Sequence, residues 1–327
     1  MKGKMMRALQ IVEPGRAEQV QLPMPEPGPG DVLLHVEAIA TCPHWDRHIF
    51  EGRPMFAGMK LEYPYWPGQP GHEAIGRIQA AGKRVPEEVI GQRVAVWRDA
   101  GPYRNGLYAT HGIVAHENTL KIPENLPAEK ITSLELAMCV QVSVDQLKEI
   151  RAVKGKSIAV AGMGPAGLLA LQLLRYAGAR EVWAIDPEDK RRELALAMGA
   201  DRAVDPSDPA LPASRDTDHA FDAALDTTGL PVSIEALMNA SKRAVAVFGV
   251  LREHVRFGPQ HWYGGFSLLG YGEHNRRAAE RALAAVLAGS LDLAPLISQC
   301  LPLSEYGRAV ALLQSLEAIK ILFDPSA

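Results

Sequence analysis

The stretch Ser157-Ile158-Ala159-Val160-Ala161-Gly162-Met163-Gly164-Pro165-Ala166-Gly167-Leu168 decides the fold of this 327-residue chain. Ser157 to Ala161 reads as a short buried strand and the glycines as a tight turn. Leu168 to Tyr176, closed by Gly178, reads as a helix. Strand, glycine turn and helix together make one arm of a βαβ unit. In such a turn the first glycine allows the sharp bend, the second lets the backbone approach a pyrophosphate, and the third lets helix and strand pack closely. The phosphates then rest on the helix N-terminus. Asp186 closes the next strand, Glu181 to Ile185, nineteen residues after Gly167, where a carboxylate accepts hydrogen bonds from an adenosine ribose. The turn is therefore read as a dinucleotide site built by Gly162, Gly164, Pro165, Ala166 and Gly167. The plainer alternative is a tight βα turn with Asp186 merely capping a helix. A carboxylate at Asp186 repels a 2′-phosphate, so NAD is preferred to NADP. Lys190, Arg191 and Arg192 follow Pro187 on a helix and read as a solvated basic face, with Arg191 nearest the adenosine.

Outward from this turn the same texture continues through Phe221 to Leu225, Arg243 to Phe248 and Phe266 to Leu269, with helical stretches between. That alternation predicts a parallel, doubly wound sheet. Further on come a helix over Arg276 to Leu287, another over Leu303 to Leu316, and a last strand, Lys320 to Phe323. Before Gly155 the texture differs. Pro and Gly punctuate short runs (Pro23 to Gly30, Pro67 to Gly71), and Val32, Leu34, Val36 and Ala38 alternate with Leu33, His35, Glu37 and Ile39. Period two with frequent turns predicts short strands. No repeat or low-complexity tract interrupts the chain.

Composition narrows the partners. With 47% hydrophobic residues there is material for two cores, and a net charge of −3 offers no footprint for nucleic acid or an anionic membrane. A small molecule is the expected partner. The first ten residues carry Lys2, Lys4 and Arg7 without the apolar stretch of a secretory leader, and no apolar run reaches membrane-spanning length, so a cytoplasmic location is expected. Cys42, Cys139 and Cys300 are widely spaced and odd in number, which does not make a disulfide framework.

Zinc in a catalytic site takes three protein ligands and keeps one position open. Cys42, His72 and Cys139 supply two soft thiolates and an imidazole, and their long spacings exclude a compact zinc finger. Beside them stand Gly71-His72-Glu73 followed by Gly76, then Asp226-Thr227-Thr228-Gly229, Phe248-Gly249-Val250 and Lys320-Ile321-Leu322. On these motifs the chain resembles the medium-chain dehydrogenase/reductase family, in its zinc-dependent alcohol dehydrogenase-like branch, over nearly the whole length.

The resemblance implies an α/β protein: a GroES-like β-barrel catalytic domain over 1–139 and 290–327, and a Rossmann cofactor domain over 140–289. It implies one catalytic zinc on Cys42, His72 and Cys139, with Glu73 beside them as an exchangeable carboxylate, and cofactor contacts from Thr227, Gly249 and Val250. Four cysteines that hold a second, structural zinc in many members have no counterpart in Trp97 to Gly106, so no structural zinc is expected. Where the family places Ser or Thr and a relay histidine after its first cysteine, this chain has His44 and Arg47. The proton path through His44, Asp46 or His48 therefore stays open.

Read alone, each ligand has a plain alternative, since single thiols more often pack than ligate, and Cys300 takes that packing reading. Trp45, Tyr63, Tyr65, Trp66, Trp262 and Tyr263 either line a substrate cleft or belong to the core or its rim. The expected activity is hydride transfer between an alcohol or polyol, or the matching carbonyl compound, and the nicotinamide, in a homodimer or homotetramer. A zinc-free quinone or enoyl reductase and a non-catalytic NAD(H)-binding protein are the alternatives.

Overall fold

Among the described residues, thirteen of fifteen strands fall in two sheets, one in each of two compact units: Met1–Leu136 with Leu293–Ala327, and Ala137–Asp292. The structure is a computed structural model that describes residues 3–56, 58–98 and 101–327. Lys2 of the basic N-terminal stretch, and Asp99 and Ala100 of the segment expected to lack a zinc lobe, lie outside the described residues.

The first unit opens with a hairpin, β1 (Met5–Glu13) and β2 (Arg16–Pro23), and continues into β3 (Asp31–Ala40). Helix α1 (Pro43–Phe50) follows at once. Then come β4 (Glu73–Ala81), β5 (Arg93–Val96), β6 (His111–Ala115) and β7 (Thr119–Lys121). Strand β3 is the hub, antiparallel to both β4 and β6. Its side chains do not alternate as expected, for Leu33, Leu34 and Ile39 are all fully buried. The register slips between Leu33 and Leu34 and between Val36 and Ala38, and each slip turns the following residues to the other face.

Helix α2 (Leu134–Glu149) carries Cys139 and the run Val140 to Val144. It leads to the six parallel strands of the second unit, β8 (Ser157–Ala161), β9 (Glu181–Ile185), β10 (Arg202–Val204), β11 (Phe221–Asp226), β12 (Ser241–Val247) and β13 (Ser267–Leu269). Their spatial order, β10-β9-β8-β11-β12-β13, is the doubly wound pattern, with the direction of winding reversing between β8 and β11. The intervening helices are α3 (Pro165–Tyr176), α4 (Asp189–Ala197), α5 (Pro231–Ala240), α6 (Pro259–Trp262) and α7 (Arg276–Leu287). Phe221, Ile234, Met238 and Val245 meet in the core on one face of the sheet.

The chain returns to the first unit through β14 (Ile297–Pro302), α8 (Tyr306–Gln314) and β15 (Lys320–Asp324). β15 bonds to β3 on one side and to β14 on the other. The run after Cys42 is helix, because Pro43 presets the first helical position. Two expectations change. The helix expected from Leu303 begins at Tyr306, after a 3-10 turn over Leu303–Glu305. Cys300, read as a packing thiol, is exposed on β14. Among the described residues no helix is long and apolar enough to cross a membrane.

Candidate active site

Two constellations assemble from the predicted residues, one in each unit. In the second unit the glycine turn behaves as its spacing requires. Gly162 has φ +87°, and a Cβ there would meet Thr227 Oγ1 at 2.7 Å. A Cβ on Gly167 would stand 1.8 Å from the Gly162 carbonyl oxygen. At Gly164, by contrast, the nearest atom is a guanidinium nitrogen of Arg191 at 4.0 Å, so space is open where α3 begins. Gly164 is the N-cap and supplies no side-chain acceptor, with Pro165 and Ala166 opening the helix. The first amides are left to an anion. The Thr227 hydroxyl, 2.9 Å from the Ala161 oxygen and 2.8 Å from that of Gly162, holds the turn in place.

Asp186 is buried, and both its oxygens are engaged: Oδ2 accepts from the Met163 amide at 2.6 Å and Oδ1 from the Glu188 amide at 2.9 Å. It ties the glycine turn to the start of α4, and each oxygen keeps a lone pair for a further donor. Arg192 is not part of a solvated basic face. It donates to the Asp186 carbonyl at 2.6 Å and pairs with Asp189 and Asp205 because α4 turns it back over the end of β9. Asp226 accepts from the Thr228 hydroxyl and Gly229 amide, each at 2.7 Å, and from Ser233 at 2.9 Å. Burial raises its pKa, and these bonds pull it part of the way back. Gly249 lies so close that a Cβ would be 2.0 Å from the Gly229 nitrogen, and the Val250 carbonyl also abuts Gly229.

In the first unit, ligand atoms of Cys42, His72 and Glu73 all lie within 4.8 Å of one another. His72 Nδ1 donates to the Pro70 carbonyl at 2.8 Å, which in the neutral ring makes Nε2 the acceptor nitrogen. That nitrogen is 3.8 Å from a Glu135 carboxylate oxygen. Glu73 and Lys320 form a fully buried ion pair at 2.6 Å through Oε1, while Glu73 Oε2 is buried with no hydrogen-bond partner. An imidazole nitrogen, a thiol and an orphaned carboxylate oxygen are the donor set that zinc takes. On these observations the residues fit a zinc ion.

Asp46 has a different place from the one the relay reading gave it. It is fully buried and accepts from the Cys42 amide at 2.7 Å and from the hydroxyls of Tyr108 and Tyr306, both at 2.8 Å. Burial pushes its pKa up to about 6, against the pull of those bonds and of His72. It is a positioning residue that fastens the Cys42 turn to the unit's core. His44 and His48 stack at 4.7 Å on α1, and His48 Nδ1 lies 3.3 Å from the Arg53 carbonyl.

Trp45 meets His72 edge to face at 6.5 Å. Tyr65 is buried with its hydroxyl on the Pro102 carbonyl, whereas Trp262 and Tyr263 are 80% and 82% exposed. A small open pocket beside His72 in this unit is bounded also by Gln69, Arg98, Arg104 and Asn105.

Cys139 belongs to the second unit, buried on α2, with its sulfur 3.5 Å from His274 Nε2. Sequence reasoning missed Glu135, His274, Tyr108 and Tyr306. None sits in a motif, and only Lys320 among the supporting residues stood in a recognisable run.

The chain is similar to several known proteins. Residues 28–124 match the alcohol dehydrogenase GroES-like domain and residues 165–287 the zinc-binding dehydrogenase domain. An L-threonine 3-dehydrogenase of Legionella pneumophila is 27% identical, over 95% of this chain and 97% of its own. The same enzyme of Pyrococcus horikoshii is 31% identical over 62% of each. A Sinorhizobium meliloti 1021 protein, provisionally called a zinc-binding dehydrogenase and solved with NADP bound, is 26% identical. It covers 98% of this chain and all of its own with a TM-score of 0.83. The 2R,3R-butanediol dehydrogenase of Bacillus subtilis shares the fold at 21% identity and a TM-score of 0.84, over 98% and 99% of the two chains.

Proposed function

We propose, from the premise that the chain belongs to the zinc-dependent alcohol dehydrogenase-like medium-chain dehydrogenase/reductase family, that it transfers hydride between an alcohol or polyol, or the corresponding carbonyl compound, and NAD. The family makes it an oxidoreductase of the alcohol dehydrogenase type with a nicotinamide cofactor. The single observation that carries the zinc reading is the orphaned Glu73 Oε2 beside Cys42 and His72.

Cys42, His72 and Cys139 would hold the ion, with Glu73 as the exchangeable fourth group. Bound zinc supplies Lewis acidity toward a substrate oxygen, and bound nicotinamide takes or gives the hydride. The chain's own residues do the positioning. Asp46 and the two tyrosines set the Cys42 turn, and the Pro70 carbonyl selects the His72 tautomer. Lys320 holds one oxygen of Glu73, which leaves the other to exchange. The open amides at the start of α3 receive the pyrophosphate, and Asp186, with its remaining lone pairs, receives the ribose. His44 and His48 are the groups on α1 able to pass a substrate proton toward solvent.

Three relatives act on a hydroxyl compound by name: L-threonine, 2R,3R-butanediol and galactitol-1-phosphate. A panel of amino alcohols, diols, polyols and their phosphates, assayed with NAD and NADP alongside metal analysis of the purified chain, tests the reading. About one equivalent of zinc per chain, and turnover that a chelator abolishes, are expected. Turnover without zinc would move the protein to the metal-free reductases, and tight NADH binding with no turnover would make it a binding protein.

A further inference from the structure

His274 stands where the second unit fastens its chain from several sides. The amide of Gln146 on α2 donates to the Gly270 carbonyl at 2.8 Å, and a Cβ on Gly272 would lie 3.0 Å from Val142, so the segment runs flat against α2. Tyr271 packs edge-on between Phe248 at 5.5 Å and His274 at 5.6 Å. Immediately after, the Asn275 side chain caps α7 by accepting from the Ala278 amide at 2.9 Å. An imidazole held this way has little rotational freedom, and its Nε2 is delivered to 3.5 Å from Cys139 Sγ.

That spacing has a chemical meaning. A sulfur about 2.3 Å and a nitrogen about 2.0 Å from one tetrahedral zinc stand about 3.5 Å apart. A thiolate and an imidazole are donors that select zinc over magnesium or calcium. Glu135, one turn before Cys139 on α2, adds a carboxylate to the same helical face. We infer that His274 is itself a metal ligand, its Nε2 and Cys139 Sγ grasping the same divalent ion. This rests on the reading of Cys139 as a ligand. A catalytic zinc keeps one position open, so an imidazole from this segment competes for that position and sets the resting ligand count.

Cobalt-substituted full-length protein provides the test, comparing wild type with His274→Ala, His274→Gln and Cys139→Ser. Both His274 variants are expected to keep the thiolate-to-cobalt band while their visible ligand-field bands shift. Their zinc affinity, measured by competition with a chromophoric chelator, should fall about tenfold or more. Metal-free wild type and variants should melt within about 2 °C of one another, which separates ligand loss from misfolding. Unchanged ligand-field bands together with unchanged zinc affinity in both His274 variants would overturn the inference and leave the Cys139 reading standing. A Cys139→Ser protein that keeps the whole thiolate-to-cobalt band would overturn both.

Discussion

The glycine turn at 162–167 and the Cys42–His72–Glu73 cluster are built in opposite ways. The turn is contiguous, and its chemistry is backbone: open amides at a helix start, a bend that a Cβ would block, and a carboxylate that holds the bend. The cluster is made of side chains whose supports come from far along the chain, with Lys320 on Glu73 and Tyr306 on Asp46. The first kind of site is specified by small residues at fixed offsets. The second exists only once β15 and α8 have returned beside β3 and α1, so its failure modes are those of tertiary packing.

The sharpest way to separate the two is Cys42→Ala. Loss of a metal ligand should lower kcat on the order of 10⁴-fold and leave NADH binding, followed by fluorescence titration, unchanged. A variant that stays fast would end the assignment of Cys42. Next in size is Lys320→Met. Stripping one partner from a fully buried ion pair should destabilise the chain by about 3–5 kcal/mol in denaturant titration, since the buried Glu73 carboxyl loses the cation it pairs with. A loss below about 1 kcal/mol, the range of a surface pair, would show that the pair does not hold the cluster.

Gly167→Ala attacks the other site. Relieving the overlap with the Gly162 carbonyl needs a backbone shift costing about 1–3 kcal/mol, felt as weaker NADH binding, with zinc content unaltered. Zinc loss in that variant would break the claim that the two sites are independently built. Asp186→Ala should cost NAD about tenfold more affinity than NADP, if one charged hydrogen bond to the ribose is at stake. An unchanged ratio would assign Asp186 to the turn alone.

The smallest effect concerns pH. Burial raises the Asp226 pKa, so the native chain keeps this proton to higher pH than the unfolded one does. Stability therefore declines as pH rises from the ordinary carboxylate value through the raised one, and Asp226→Asn should flatten that part of the profile. An identical slope in urea titrations across that range would contradict it.

How legible each region was follows from the same contrast. Strands Ser157–Ala161 and Glu181–Ile185 and helix Arg276–Leu287 coincide with their expected bounds, because the strands are short apolar runs ended by Gly162 and by Asp186-Pro187, and the helix has a regular buried face of alanines and Val286 ended by Gly289. Strand β10 has three residues and β14 follows a 3-10 turn, too little pattern to announce either. The helix after Cys42 was obscured by its run of polar and aromatic residues, although Pro43 marks its start. Asp46 was drawn to the relay by its position near Cys42. What decided its role was two tyrosines, one 62 and the other 260 residues away.

By itself the sequence determined the doubly wound unit, the glycine turn and the residue types of the proposed zinc site. Those features depend on local spacing and on backbone conformations that only certain residues permit. Tertiary structure alone decided that Lys320 leaves one oxygen of Glu73 orphaned, that Asp46 is a buried fastening, and that His274 lies against Cys139. Such contacts join residues from 62 to 260 positions apart, and no periodicity encodes which distant side chain fills a given buried space.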